Sequence, residues 1–276
     1  YMVLSETLLE PVPAGISAEQ AALTEPLAVG RHAVAKARLA GREEVLVVGC
    51  GPVGLAVIAS LKAQGHGPVY AADFSPARRL MAERLGADVV LDPQAGDPLS
   101  TRAWPKGGQT VIFDCVGVAG MIDQLFSKAP QDTRLVIVGV CLEMDHARPL
   151  IAVNKELNVQ YVLGYSQAEF ADTLKALADG AFNVGDWITG IVGLDGVEAA
   201  FEQLLIDGKN AKERIADLSG GDQRIAELEK EAEVLFKTLQ EQGLALSKSR
   251  KESGAKLSAQ VTDEVRGLSM PNASFV

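Results

Sequence analysis

Val45-Leu46-Val47-Val48-Gly49-Cys50-Gly51-Pro52-Val53-Gly54-Leu55 sets the reading of everything around it. A short β-branched run leads into G-x-G-x-x-G, and an apolar helical pattern follows to Gln64-Gly65. The glycine spacing alone is weak; its position between a strand and a helix gives it weight. A second strand, 69–72, closes on Asp73, which lies 24 residues after Gly49, near the spacing a dinucleotide-binding βαβ unit requires. Gly49 permits the tight turn. Gly51 lets the backbone approach a pyrophosphate, whose charge sits on the helix N-terminus, and Gly54 lets helix and sheet pack closely. Pro52 suits the first helical turn, where its missing N–H is not needed, and Val53 follows it in the same cradle. Asp73 can accept hydrogen bonds from both adenosine ribose hydroxyls and would repel a 2′-phosphate, so NAD is expected over NADP. The alternative is an ordinary βαβ unit with glycines in its turn.

Outward from this core, strands and helices alternate. Toward the N-terminus, 1–16 reads as extended and proline-punctuated. Ser17 to Gln20 has the capping-box form, and helical stretches follow through Leu23 and from Pro26 to about Leu39. Toward the C-terminus, Ser75 as N-cap and Pro76 open a helix closed by Gly86. Strands are expected at 88–91, 110–114, 135–140 and 157–163, with helices near 119–129 and 167–178. The alternation predicts an α/β fold, a doubly wound parallel sheet with helices on both faces, and the strands are continuous apolar runs. Cofactor contacts then belong at the carboxyl ends of the strands. Asp114, Cys115, Val116 and Gly117 are expected beside the adenosine half or the phosphates, and Val138, Gly139 and Val140 near the nicotinamide. Plain strand-end turn chemistry is the competing account of both groups. Arg78 either flanks the adenine and ribose or lies on a solvated helix face.

The 276 residues are 47% hydrophobic, enough for a large core or two smaller ones. A net charge of −10 argues against a nucleic-acid surface. No apolar stretch reaches the length of a membrane span and no signal-peptide pattern opens the chain, so a cytoplasmic protein is expected. Cys50, Cys115 and Cys141 are far apart in sequence and read as small core residues in a reducing compartment. His32, His66 and His146 are isolated and are assigned no catalytic role.

With these residues in hand, 1–212 resembles the cofactor domain of the zinc-type medium-chain alcohol dehydrogenases, most closely their polyol and butanediol branch. The matching phrases are Thr24-Glu25-Pro26-Leu27-Ala28-Val29, the Gly49–Gly54 fingerprint, Ala72-Asp73-Phe74-Ser75-Pro76-Ala77-Arg78, Leu85-Gly86-Ala87-Asp88, Phe113-Asp114-Cys115-Val116-Gly117 and Ile137-Val138-Gly139-Val140. The resemblance implies hydride transfer between a secondary alcohol or polyol and NAD, with zinc as Lewis acid. It also implies a homo-oligomer, with strand 157–163 as a candidate pairing edge. Phe74 joins the implied cofactor contacts, and Glu25 is the single member of the family's metal set found here. Catalytic zinc needs about three protein ligands, so this chain alone is not expected to hold it. In this chain Glu25 reads better as a helix-start carboxylate favoured by the dipole.

The resemblance divides the chain into a remnant of a catalytic domain at 1–24, an NAD-binding domain at 25–185, a return segment at 186–217 in which Asp195 caps helix 197–205, and a helical tail at 218–276. In the tail, Ile225, Leu228, Ala232, Leu235, Leu239, Gln242 and Leu246 step by threes and fours, a heptad seam. Glu233 and Lys237 form an i,i+4 pair, and Leu257, Val261, Val265 and Leu268 form a second pattern after a break expected at Ser253-Gly254, free to fold back on the first. The tail resembles the end of the coiled-coil arm of the bacterial RecN repair ATPase in Leu218–Leu228 and Leu268–Pro271; a C-terminal oligomerisation helix is the alternative. Leu218-Ser219-Gly220-Gly221 is not taken as a transporter-ATPase signature, because no P-loop G-x-x-x-x-G-K-[ST] accompanies it. A joined or truncated gene product, or an artificial fusion, with its seam near 212–220, would account for both resemblances. Of three functions weighed, two stay open: an NAD-dependent dehydrogenase seen through its cofactor half and a non-catalytic dinucleotide-binding module; the third, a fragment of a repair coiled coil, fails on the missing ATPase motifs and the acidic charge.

Overall fold

Strand by strand, side-chain alternation sorts the apolar residues onto two faces of one sheet. In the computed structural model, which describes residues 4–99, 109–185 and 187–267, the order of elements is α1 (Ala18–Ala21), α2 (Thr24–Ala37), β1 (Glu44–Val48), α3 (Pro52–Ala63), β2 (Val69–Ala72), α4 (Pro76–Arg84), β3 (Val89–Leu91), β4 (Thr110–Asp114), α5 (Met121–Lys128), β5 (Arg134–Ile137), α6 (Pro149–Asn154), β6 (Asn158–Tyr161), α7 (Gln167–Ala178) and α8 (Val197–Gly267). The six strands are all parallel, in the order β3-β2-β1-β4-β5-β6. That is the doubly wound order of a Rossmann-like fold, with its switch point between β1 and β4. In register, Val47 lies between Ala71 and Phe113.

One face carries Val45, Val47, Val69, Ala71, Val111, Phe113 and Val136, packed under α2, α3 and α7. The other carries Leu46, Ala72, Ile112, Leu135 and Ile137, packed under Leu125 and Phe126 of α5. Burial on both sides is why the strands read as unbroken apolar runs. Helices α2 and α3 touch at Gly30, where any Cβ would strike the backbone of Ala56.

The local signals act as expected at several points. Ser17 and Gln20 complete the capping box, Ser75 accepts from the Arg78 N–H, and Pro52 and Pro76 open their helices. Elsewhere the boundaries shift for identifiable reasons. Helix α2 starts at Thr24 rather than Pro26, because the Thr24 hydroxyl donates to the Ala21 carbonyl (2.6 Å) and joins it to α1. Proline is tolerated in that first turn, where N–H groups have no helical partner. The strand expected at 135–140 ends at Ile137, since the N–H groups of Val138 and Gly139 both turn to the Asp114 carbonyl (2.9 and 2.8 Å). The strand expected at 157–163 is Asn158–Tyr161. Helix α6 was not foreseen, although Pro149 at its start is a helix-opening residue.

The chain divides into two compact units at Ile191/Val192. The second consists of a 3-10 turn, Leu194–Gly196, and the 71-residue α8. Asp195 sits inside that turn, not in front of a separate short helix. No break occurs at Ser253-Gly254 and no second segment folds back there; α8 is continuous through both residues. A lone helical glycine costs only about 1 kcal/mol relative to alanine, which the helix-favouring residues on either side offset. The side chains of Ile225, Leu228, Ala232, Glu233, Leu235 and Val265 lie outside the described residues, as do Leu268–Pro271. Among the described residues no helix is long and apolar enough to cross a membrane.

Candidate functional site

Three strand ends build the site. After β1 the chain turns at Gly49, whose φ of +90° lies in the region L side chains avoid, and whose N–H donates to the Ala72 carbonyl at 2.8 Å. Gly51 then caps α3 with extended backbone, and no side chain closes the helix N-terminus. A Cβ on Gly51 would meet nothing within 4 Å, whereas one on Gly54 would collide with the Gly49 carbonyl. The two glycines therefore differ in kind. Gly54 is required by the protein's own backbone; Gly51 faces open space at a helix end whose first-turn N–H groups suit an anion. Pro52 and Val53 form the first turn at its rim.

Asp73 follows β2 and is only 9% exposed. Its Oδ2 accepts from the Cys50 N–H (2.8 Å) and its Oδ1 from the Ser75 N–H (2.7 Å). The carboxylate thus ties the glycine turn to the start of α4, a structural duty the spacing did not reveal. Each oxygen has about two lone-pair sites, so one on each is left for a ligand hydroxyl. Arg78 lies 3.7 Å from Asp73 Oδ2 and is mostly exposed, as is Phe74. The neighbouring Arg79 was missed. It donates to the carbonyls of Asp73 (2.7 Å) and Phe74 (2.9 Å) and pairs with Asp92 (2.8 Å), locking the β2 and β3 ends together. Its signal was available: an arginine one turn into a helix that starts at the strand end.

At the end of β4, Asp114 is buried, and its carboxylate accepts from the Val116 N–H at 2.9 Å. Burial pushes its pKa up; the Val116 and Gly117 N–H groups oppose this, and the charge of Asp145 adds to it. Gly117 and Gly139 meet back to back: a Cβ on Gly117 would lie 2.6 Å from the Val140 N. Both glycines therefore answer to the close approach of the two loops. They border a cavity of about 290 Å³ lined in part by Asp114, Val118, Val140, Asp145 and Tyr161. Asp145 Oδ1 accepts from the Gly120 N–H (2.6 Å), while its buried Oδ2 has no partner among the described residues.

Cys115 packs against the glycine turn, and Cys50 is buried within it. Burial, then the charge of Asp73, pushes the Cys50 thiol up to about 12, and burial raises Cys115 well above the ordinary range. Both are inert packing thiols at neutral pH. Val138 is buried and Val140 exposed, so only the latter is fully presented to solvent.

Glu25 is exposed in the first turn of α2; burial first, then the Glu25 charge, raises the pKa of the Tyr165 hydroxyl. Among the described residues no three His, Cys, Asp or Glu side chains gather as a metal set. The described residues do not fit a zinc centre. His32 Nδ1 is instead paired with Glu169 at 2.9 Å, bridging α2 and α7.

Residues 52–179 match the family described as Zinc-binding dehydrogenase. The (R,R)-butanediol dehydrogenase of Bacillus subtilis is 33% identical over 215 residues, covering 77% of this chain and 62% of that protein. A sorbitol dehydrogenase of Ovis aries is 30% identical over 195 residues, covering 69% and 55%. The crystal structure of 2R,3R-butanediol dehydrogenase from Bacillus subtilis superposes with a TM-score of 0.56 at 35% identity, covering 63% of this chain and 50% of that one. This chain thus spans about six-tenths of the length of the curated relatives it matches. The parallel sheet, the glycine turn at its switch point and these similarities together identify residues 52–179 as a zinc-binding dehydrogenase domain with butanediol and sorbitol dehydrogenases among its homologues.

Proposed function

We propose that this chain is the NAD-binding part of an oxidoreductase that moves hydride between a secondary alcohol or polyol and the dinucleotide. The observation that carries the reading is the joint between Asp73 and the glycine turn. One carboxylate, held by the Cys50 and Ser75 N–H groups, stands beside a helix end left open at Gly51. When bound, NAD supplies the hydride acceptor. The chain's own residues orient it. The first turn of α3 takes the pyrophosphate, and Asp73 takes the adenosine ribose with its remaining lone pairs. Phe74 and Arg78 flank the adenosine. Cys115 and Val116 border the adenosine half or the phosphates, and Val138, Gly139 and Val140 border the nicotinamide half and limit water there. No step is assigned to zinc, because the described residues do not form its site.

NADH is expected to bind more tightly than NADPH, since a 2′-phosphate would face the Asp73 carboxylate. Calorimetric titration with both reduced cofactors measures this, and equal or tighter NADPH binding overturns the assignment. Asp73→Ser should narrow the preference and weaken NADH together, because it loosens the Cys50–Ser75 joint as well as removing the charge. A second reading, a dinucleotide-binding module without turnover, is favoured by one observation: Glu25 belongs to no metal set among the described residues.

A further inference from the structure

We infer that α8 pairs with α8 of a second copy of this chain, and that the two helices run antiparallel. At 1.5 Å per residue its 71 residues extend about 106 Å. A helix gains most of its stability in water by packing an apolar face, yet Phe236, Leu239, Leu246 and Leu257, which lie toward one side of α8, are each more than half exposed. Leu239 and Leu246 stand one heptad apart and continue the seam that begins at Ile225.

The charge distribution chooses the partner and its direction. Residues 222–241 hold six Asp or Glu against three Lys or Arg, a net charge of −3. Residues 242–259 hold one Glu against Lys248, Arg250, Lys251 and Lys256, a net charge of +3. A parallel pair would lay acidic on acidic and basic on basic. An antiparallel pair, with its two-fold axis between positions 240 and 241, lays each acidic half on a basic half. This is the isologous contact expected of a two-fold dimer. It also sets Leu239 opposite Gln242 of the second copy, one seam position against another.

The surface beside that axis is open to a neighbour. Gly243 carries no side chain, and a Cβ there would meet nothing within 4 Å. A hollow of about 330 Å³ lies alongside, lined in part by Gly243, Leu246, Ser247, Arg250 and Lys251. Arg250 and Lys251 on its rim would face the acidic half of the second copy.

The test places a single nitroxide label on the full chain at Gln242→Cys or at Ser253→Cys and measures distances between labels. The parent chain, treated alike, supplies the background from Cys50, Cys115 and Cys141. The antiparallel pair predicts a short distance at 242, within about 15 Å, and a long one at 253, about 40 Å, from the rise per residue and the usual spacing of packed helices. A short distance at both positions would mean a parallel pair and overturn the proposal. So would the absence of any intermolecular distance at 242. Reversing three charges, Lys248→Glu, Arg250→Glu and Lys251→Glu, should weaken the pairing at least tenfold while leaving NADH binding unchanged; undiminished pairing overturns the charge argument.

Discussion

Gly51 and Gly54 stand in the same motif and do opposite things. A methyl group at Gly54 strikes the Gly49 carbonyl and presses on Cys115, whereas Gly51 has space around it. Gly54→Ala is therefore expected to lower stability by about 1–3 kcal/mol, the usual range for overpacking against backbone that cannot yield. Gly51→Leu should leave the melting temperature nearly unchanged and weaken NADH binding at least tenfold. Thermal melts and cofactor titrations on both variants check this. A Gly51→Leu variant that binds NADH like the parent would make the motif purely structural. The motif already gave the two glycines different roles, but only the fold shows what a side chain at Gly54 would strike, because the colliding carbonyl belongs to a residue folded back by the turn. The same limit applies to Asp73. Its position at a strand end was legible, but the two N–H groups it accepts are brought to it by different loops. Arg79, rather than Arg78, holds that corner for a similar reason, since its partners come from two strand ends.

Among the elements, α2 and α7 are joined by a link that no local pattern shows. Glu169 completes the capping box of α7 with Ser166 and also pairs with His32, 137 positions away. The Ser166 N–H, then His32 and the Ser166 hydroxyl, draw its pKa from 4.5 down to about 2, against some burial. A carboxylate whose folded pKa lies below its unfolded value adds stability above the unfolded value. That contribution fades as the pH falls from about 4.5 toward about 2. Glu169→Ala should thus destabilise the protein at pH 7 by about 1 kcal/mol, the size of a lost cap, with the ion pair adding little because the carboxylate is one-third exposed. Denaturant melts of parent and variant should converge near pH 2; a constant gap across that range would refute the linkage. Cap chemistry at Ser17, Ser75 and Ser166 is local, so these helix starts could be read directly from the chain. The early end of β5 could not, because it follows from the Asp114 carbonyl on a neighbouring strand.

With no three ligand-type side chains together among the described residues, this chain purified alone is expected to hold less than stoichiometric zinc. It should show no NAD-linked oxidation of 2,3-butanediol or sorbitol while still binding NADH. Metal analysis after incubation with excess zinc, beside a steady-state assay, decides this; chelator-resistant turnover would reveal a complete active site elsewhere in the chain. The doubly wound sheet was legible because alternation of apolar strands and capped helices is written in consecutive residues, and β-strands covered on both faces admit few other packings. The glycine fingerprint was legible for the same reason: turn, helix start and second strand end lie within one short stretch. Other features depend on groups that meet only after folding. These are the double duty of Asp73, the back-to-back contact of Gly117 and Gly139, and the His32–Glu169 bridge. The continuous path of α8 through Ser253-Gly254 belongs with them, because a helix interior is set by the summed preference of its neighbours and not by the one residue that disfavours it.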